Sequence, residues 1–190
     1  MAGRQLEKQT AKALVDLERW LARQPGWKSG ELTGGRARSN RSPAILSESD
    51  CVLQFARFLN KQGVPWKDIH ISVAPGQWLV EKSVAGPRPA RIDLAVVDRD
   101  RLAKRKAPLR RSKQEDFLFD AIFEFTLAAT RQTRALKHAI DKDTSRVRRY
   151  LDDLWTRRGY VVIVEESDHG WEQPSPAPVD ALSVHYLKAY

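Results

Sequence analysis

Cysteine is almost absent from this 190-residue chain: Cys51 stands alone, so no internal disulfide can form. The four histidines, His70, His138, His169 and His185, lie in unrelated contexts, and with Cys51 they show no Cys-x-x-Cys or His-x-x-x-His spacing. A structural zinc site is thereby excluded. No apolar run approaches the roughly 20 residues that cross a bilayer. The first ten residues already carry Arg4, Glu7 and Lys8, so no membrane association is expected and the cytoplasm is the expected address. Gly34-Gly35 lacks the Lys-Ser/Thr ending of a phosphate-binding loop, and no Ser or Cys sits in a motif that would activate it as a nucleophile. What remains is 42% hydrophobic and 30% charged, with six Trp and six Phe. That is too apolar for a disordered chain and too charged for a membrane protein, at a length that buries roughly 70% of the unfolded surface.

Charge of one sign is in excess. Lys plus Arg number 33 against 24 Asp plus Glu, a formal net charge of +9, which favours a polyanionic partner. The excess is clustered. Asp98 to Lys113 holds eight basic residues, among them Lys104, Arg105, Lys106, Arg110, Arg111 and Lys113. A second group, including Arg131 and Arg134, runs from Arg131 to Arg149, and a sparser one comprises Lys28, Arg36, Arg38 and Arg41. A single such run reads as a solvated loop or helix face; three favour nucleic acid, DNA before RNA.

Periodicity organises the chain. Leu6, Ala13, Leu14, Leu17, Trp20 and Leu21 form a helical stripe that stops at Pro25-Gly26, giving an N-terminal helix within residues 1–27. Residues 28–44 lack apolar periodicity and read as a flexible basic connector. Residues 45–190 then form the main domain. Ser47 and Asp50 resemble a capping box opening a helix with Val52, Leu53, Phe55, Ala56 and Leu59, ended by Gly63 and Pro65. Strands are expected at Ile69–Val73, Trp78–Val84, Arg91–Asp98, Phe119–Leu127, Tyr160–Val164 and Ala181–Tyr186, with a long helix over Gln132–Arg157. The continuous run Tyr160–Val164 suits a strand buried on both faces. One mixed sheet covered by helices is the expected α/β architecture.

Two acids interrupt the apolar pattern. In the strand around Ile92, alternation sets Asp93 with Ala95 and Val97; in Phe119–Leu127 it sets Glu124 with Asp120, Ile122 and Thr126, opposite Phe119, Ala121, Phe123 and Phe125. Burying a carboxylate costs several kcal/mol, and two in adjacent strands repel. A shared metal ion relieves both costs; an Arg partner is the alternative. Glu48, in the first turn of its helix, is favoured there by the helix dipole alone. Asp143, on the inward edge of the long helix, suits a hydrogen bond or an ion pair with a basic neighbour.

The segments Ser47-Glu48-Ser49-Asp50, Pro89-Ala90-Arg91-Ile92-Asp93 and Ile122-Phe123-Glu124-Phe125-Thr126, followed by a helix around Ile140–Leu151 and a buried strand, resemble in order and spacing the PD-(D/E)xK nuclease superfamily. The resemblance spans roughly residues 46–164. It implies a restriction-endonuclease-like mixed central sheet flanked by helices, here with an extra N-terminal helix. It further implies Mg²⁺ or Mn²⁺ held by Asp93 and Glu124, with Glu48 completing the site. One departure is plain: the family's lysine, two positions after the strand acid, is here Thr126, which offers a hydroxyl but no cation. Lys137 is the first choice for a substitute cation acting in catalysis, ahead of Arg131, Arg134 and Lys82. The expected function is metal-dependent hydrolysis of DNA, as a nuclease or a nuclease domain of a defence or mobile-element system. Rival expectations are an inactive nuclease-fold module that binds nucleic acid, and a subunit of a larger defence or mobile-element complex using Trp27 and Trp171 as contacts; a homodimer is also open.

Overall fold

The computed structural model describes residues 2–23, 48–73, 91–97, 119–128, 133–153, 155–165 and 181–188. The connector 28–44, the expected strand Trp78–Val84, the basic stretch from Asp98 to Lys113, Lys82, Arg131, Trp27 and Trp171 lie outside the described residues, as does the side chain of Arg134. The elements in chain order are α1 (Ala2–Leu21), α2 (Glu48–Lys61), a 3₁₀ turn (Trp66–Asp68), β1 (Ile69–Val73), β2 (Ile92–Val96), β3 (Ala121–Ala128), α3 (Thr133–Asp152), β4 (Gly159–Glu165) and β5 (Leu182–Lys188). The strands form one sheet in sequence order. β1, β2 and β3 make an antiparallel meander, and β4 and β5 continue it in parallel. Joining parallel neighbours requires a crossover, which α3 provides between β3 and β4.

The sheet is covered on both faces. On one, Leu14, Leu17 and Leu21 of α1 and Val52, Phe55 and Leu59 of α2 pack against Leu94, Val96, Phe123, Phe125, Tyr160, Val162 and Val164. α1 is thus integral to the core: Glu7 pairs with Arg158 at 2.6 Å, and Gln62 donates to Asp16 at 2.9 Å. On the other face Leu136, Ile140, Val147 and Tyr150 of α3 cover Ala95, Ile122, Val161 and Ile163. β4 is therefore buried throughout, as its continuous apolar run predicts.

Two boundaries have simple causes. α2 ends in a Schellman arrangement: Val64 N–H bonds the Leu59 carbonyl and Gly63 N–H that of Asn60, with Gly63 at φ +94°. The long helix stops at Asp152, five residues before the expected Arg157. Residues 155–157 are drawn into strand-like pairing with Phe119, whose N–H bonds the Trp155 carbonyl while the Arg157 N–H returns to the Phe119 carbonyl.

The β3 register decides what faces α3. Phe55 meets Phe123 edge-on at 5.0 Å and Phe125 at 5.5 Å, while Phe123 stacks on Tyr160 at 4.7 Å. Each buried ring contributes about 1.5–3 kcal/mol. A slip of one residue would drive both rings to the opposite face, so Glu124 between them is held toward α3.

Gly159 lets α3 approach the sheet closely, since a Cβ there would overlap Val147 Cγ1 and crowd Leu151 Cδ1. Gly159→Ala is expected to destabilise by about 1–3 kcal/mol through overpacking. Adding Val147→Ala should recover part of that loss, with urea denaturation as the measurement.

Candidate functional site

Asp93, Glu124 and Thr126 project from the sheet face that α3 covers, and α3 brings Asp143 and Arg146 onto them. The pairing of Leu94 with Phe123 carries Asp93 opposite Glu124. Asp93 Oδ2 accepts a 2.8 Å bond from the Phe125 N–H, fixing the carboxylate beside β3. Glu124, 1% exposed, receives Arg146 Nη1 on Oε2 at 2.9 Å. Its other oxygen, Oε1, is buried without a donor among the described residues. Arg146 Nη2 lies 3.6 Å from Asp143 Oδ1, and Asp143 Oδ2 accepts the Thr126 hydroxyl at 2.7 Å.

Glu48 comes from the other layer. It opens α2, which packs on the opposite face, and meets the group beside the last residues of β3, where the Leu127 backbone gives it a hydrogen bond. The helix N-terminus favours its ionised form, but burial outweighs that, and Asp93 and Asp143 add repulsion. Its pKa is pushed up to about 7.

The same two effects act on the strand acids. Burial raises Asp93, with Asp143 adding to the rise, against the Phe125 N–H and a bond from the Glu124 carboxyl. Burial and then Asp93 raise Glu124 well above the ordinary glutamate range, and Arg146 only partly offsets them. Asp93 and Glu124 repel each other, and the hydrogen bond between their carboxyl groups relieves part of that cost. Among the described residues, four carboxyl groups and one guanidinium meet in a partly buried space.

Of the expected site residues, the structure brings together Glu48, Asp93 and Glu124. For Glu124 the guanidinium alternative is realised, and the base in contact is Arg146. Lys137 is exposed on the first part of α3, about two and a half turns before Arg146. Asp143 takes the hydrogen-bonded role expected of it, and Thr126 supplies the donor. Arg146 is the residue that sequence reasoning missed. Its signal was its spacing: Asp143 occupies an inward slot in the series Leu136, Ile140, Asp143, Val147, Tyr150, and Arg146 follows it by three positions, on the same edge of the helix.

An all-oxygen set of carboxylates suits a hard divalent cation, and the buried, donorless Glu124 Oε1 is the kind of atom such an ion would satisfy. In chemistry the residues fit Mg²⁺ or Mn²⁺. Among the described residues, however, no group of three or more His, Cys, Asp or Glu side chains stands in ligating arrangement. Glu124 is turned to Arg146 and Asp93 to the Phe125 N–H.

Acids raised in the folded state support folding below their ordinary pKa and lose that contribution as the pH climbs through the folded value. The melting temperature is expected to fall between pH 5 and pH 8, part of the fall coming from Glu48 as it ionises around pH 7. Glu48→Gln, which cannot ionise, should melt higher than wild type at pH 8 and show a shallower slope, followed by circular dichroism. The chain matches no protein-family model, no curated protein and no solved structure.

Proposed function

We propose that this protein is a metal-dependent nuclease that hydrolyses phosphodiester bonds in DNA. Asp93 and Glu124 would hold Mg²⁺ or Mn²⁺, with Glu48 completing the set. The observation that carries this reading is the convergence of acids from α2, β2 and β3 at one place, in an element order of helix, three-stranded meander, crossover helix and parallel strand. That order and those positions are the ones the PD-(D/E)xK resemblance implies, and a restriction-endonuclease-like fold belongs to the same proposal.

When bound, the ion would acidify a water and polarise the scissile phosphate. The chain's own residues have separate tasks. Asp93, held by the Phe125 N–H, keeps one oxygen fixed in direction. Glu124 presents the donorless Oε1. Glu48, hydrogen-bonded by the Leu127 backbone, enters from the helix side, so the three acids approach from different elements. The exposed Lys142 and Arg149 of α3, with the basic stretch from Lys104 to Lys113 and with Arg36, Arg38, Arg41, Arg131 and Arg134, would hold flanking phosphates with little sequence information.

A second reading draws on Thr126, which spends its hydroxyl on Asp143, and on Arg146, which already holds Glu124. It is a nuclease-fold module that binds nucleic acid without turnover, alone or as a subunit of a larger complex.

Incubated with plasmid and Mg²⁺ or Mn²⁺, the wild-type protein is expected to cut, and Asp93→Ala and Glu124→Ala to reduce cutting to background. Binding that survives Asp93→Ala and weakens steeply with salt, with no cutting under any condition, would select the second reading. Neutralising Arg110, Arg111 and Lys113 should weaken DNA binding in either case, measured by fluorescence anisotropy.

A further inference from the structure

Arg146 does more than neutralise one acid. Its side chain is 18% exposed where that of Glu124 is 1% exposed, so the pair joins a partly exposed helix residue to a fully buried sheet acid. Nη1 holds Glu124 at 2.9 Å, and Nη2 lies 3.6 Å from Asp143. Asp143 is in turn pinned by the Thr126 hydroxyl at 2.7 Å. A chain of contacts thus runs from β3 through Thr126 and Asp143 to the guanidinium, giving Arg146 a second carboxylate independent of Glu124. Glu124, for its part, has one oxygen that no donor among the described residues reaches. One guanidinium leaves the buried acid half served, so a small divalent ion competes for it on favourable terms.

We propose that Arg146 is the resident counter-ion of the acidic site and its phosphate-contacting residue: a divalent ion takes its place on Glu124, and Asp143, anchored by Thr126, keeps the released guanidinium facing the substrate. The inference rests on the nuclease reading and adds a catalytic residue to it, with Asp143 and Thr126 as positioning residues. A planar fork of donors suits two oxygens of a phosphate as well as two of a carboxylate, so the exchange costs Arg146 no geometry. Thr126 is then an anchor for a cation carried by the facing helix.

The test pairs two measurements on the full chain: Mn²⁺ affinity by calorimetry without DNA, and cleavage of a labelled duplex. In Arg146→Met the competitor for Glu124 is gone, so Mn²⁺ should bind about tenfold tighter, a modest share of what close charge pairs are worth. Cleavage should fall about 100-fold, as when a donor aimed at developing charge is removed. A merely structural role would weaken both, so opposite directions are the signature. Thr126→Val should leave Mn²⁺ affinity near wild type and lower kcat with little change in KM, and Thr126→Ser should restore it. Should Arg146→Met fail to fold, as judged by circular dichroism, the Thr126 pair decides, and equal rates for Val and Ser overturn the inference. Looser or unchanged Mn²⁺ binding in a folded Arg146→Met, or undiminished cleavage, overturns it while leaving a cutting wild type a nuclease. A wild type that never cuts removes the nuclease reading and the phosphate contact with it, and the Mn²⁺ titration still decides the displacement.

Discussion

A carboxylate in the central strand of a covered sheet is the constraint around which this molecule is arranged. Glu124 lies on β3, between β2 and β4, at 1% exposure, where an isolated charge would cost several kcal/mol. The protein meets that cost from two directions: α3 delivers Arg146 to one oxygen, and Asp93 stands opposite on β2, close enough to share a proton. Among the described residues neither arrangement is complete, because Oε1 has no donor and the acids outnumber the guanidinium. A fully satisfied buried network would be expected to stiffen the core, and this one is satisfied only in part.

The rest of the fold supplies the walls that hold this group in place. The aromatic cluster of Phe55, Phe123, Phe125 and Tyr160 fixes the register of β3 from the α2 side, so Glu124 and Thr126 both turn to α3. The antiparallel step from β2 to β3 sets Asp93 opposite Glu124, and the crossover through α3 returns the chain over the same face. Glu48 arrives from the opposite layer only because α2 begins near the end of β3, where the Leu127 backbone receives it. Its ionisation is governed by burial and neighbouring acids, which override the helix dipole that accounts for many glutamates in first turns.

Much of this was legible in the sequence because periodicity reports burial. The strands at Ile69, Ile92, Phe119–Leu127 and Tyr160, and the three helices, follow from alternation and from helical stripes, and Asp93 and Glu124 stood out because they broke those patterns. What periodicity could not show is partnership across space. Arg146 sits in a run of basic residues that reads as a solvated helix face, and only its spacing from Asp143 hinted that it turns inward. The end of α3 was hidden for a related reason: Trp155–Arg157 continue a plausible helical pattern, and it is Phe119, thirty-six residues earlier, that draws them into strand pairing. Glu48 was ambiguous because a first-turn glutamate has a local explanation, and locality is all that a single sequence displays.

Thr126 shows why charge placement matters more here than motif identity. A lysine in its place would bring an ammonium to the same sheet face as Arg146, supplying a second cation to Asp143 and Glu124 and leaving less negative charge for any ion from solution. Threonine instead contributes a neutral donor that orients Asp143, so the site keeps one basic group on the facing helix and an excess of carboxylate. On the nuclease reading that excess is what attracts a divalent ion, and the guanidinium's attachment to Asp143 keeps it nearby once the ion has taken Glu124. The absence of a cation on β3 and the presence of one on α3 are then two sides of one electrostatic arrangement, in which a helix side chain with its own anchor does the work at a distance that a strand side chain would do in place.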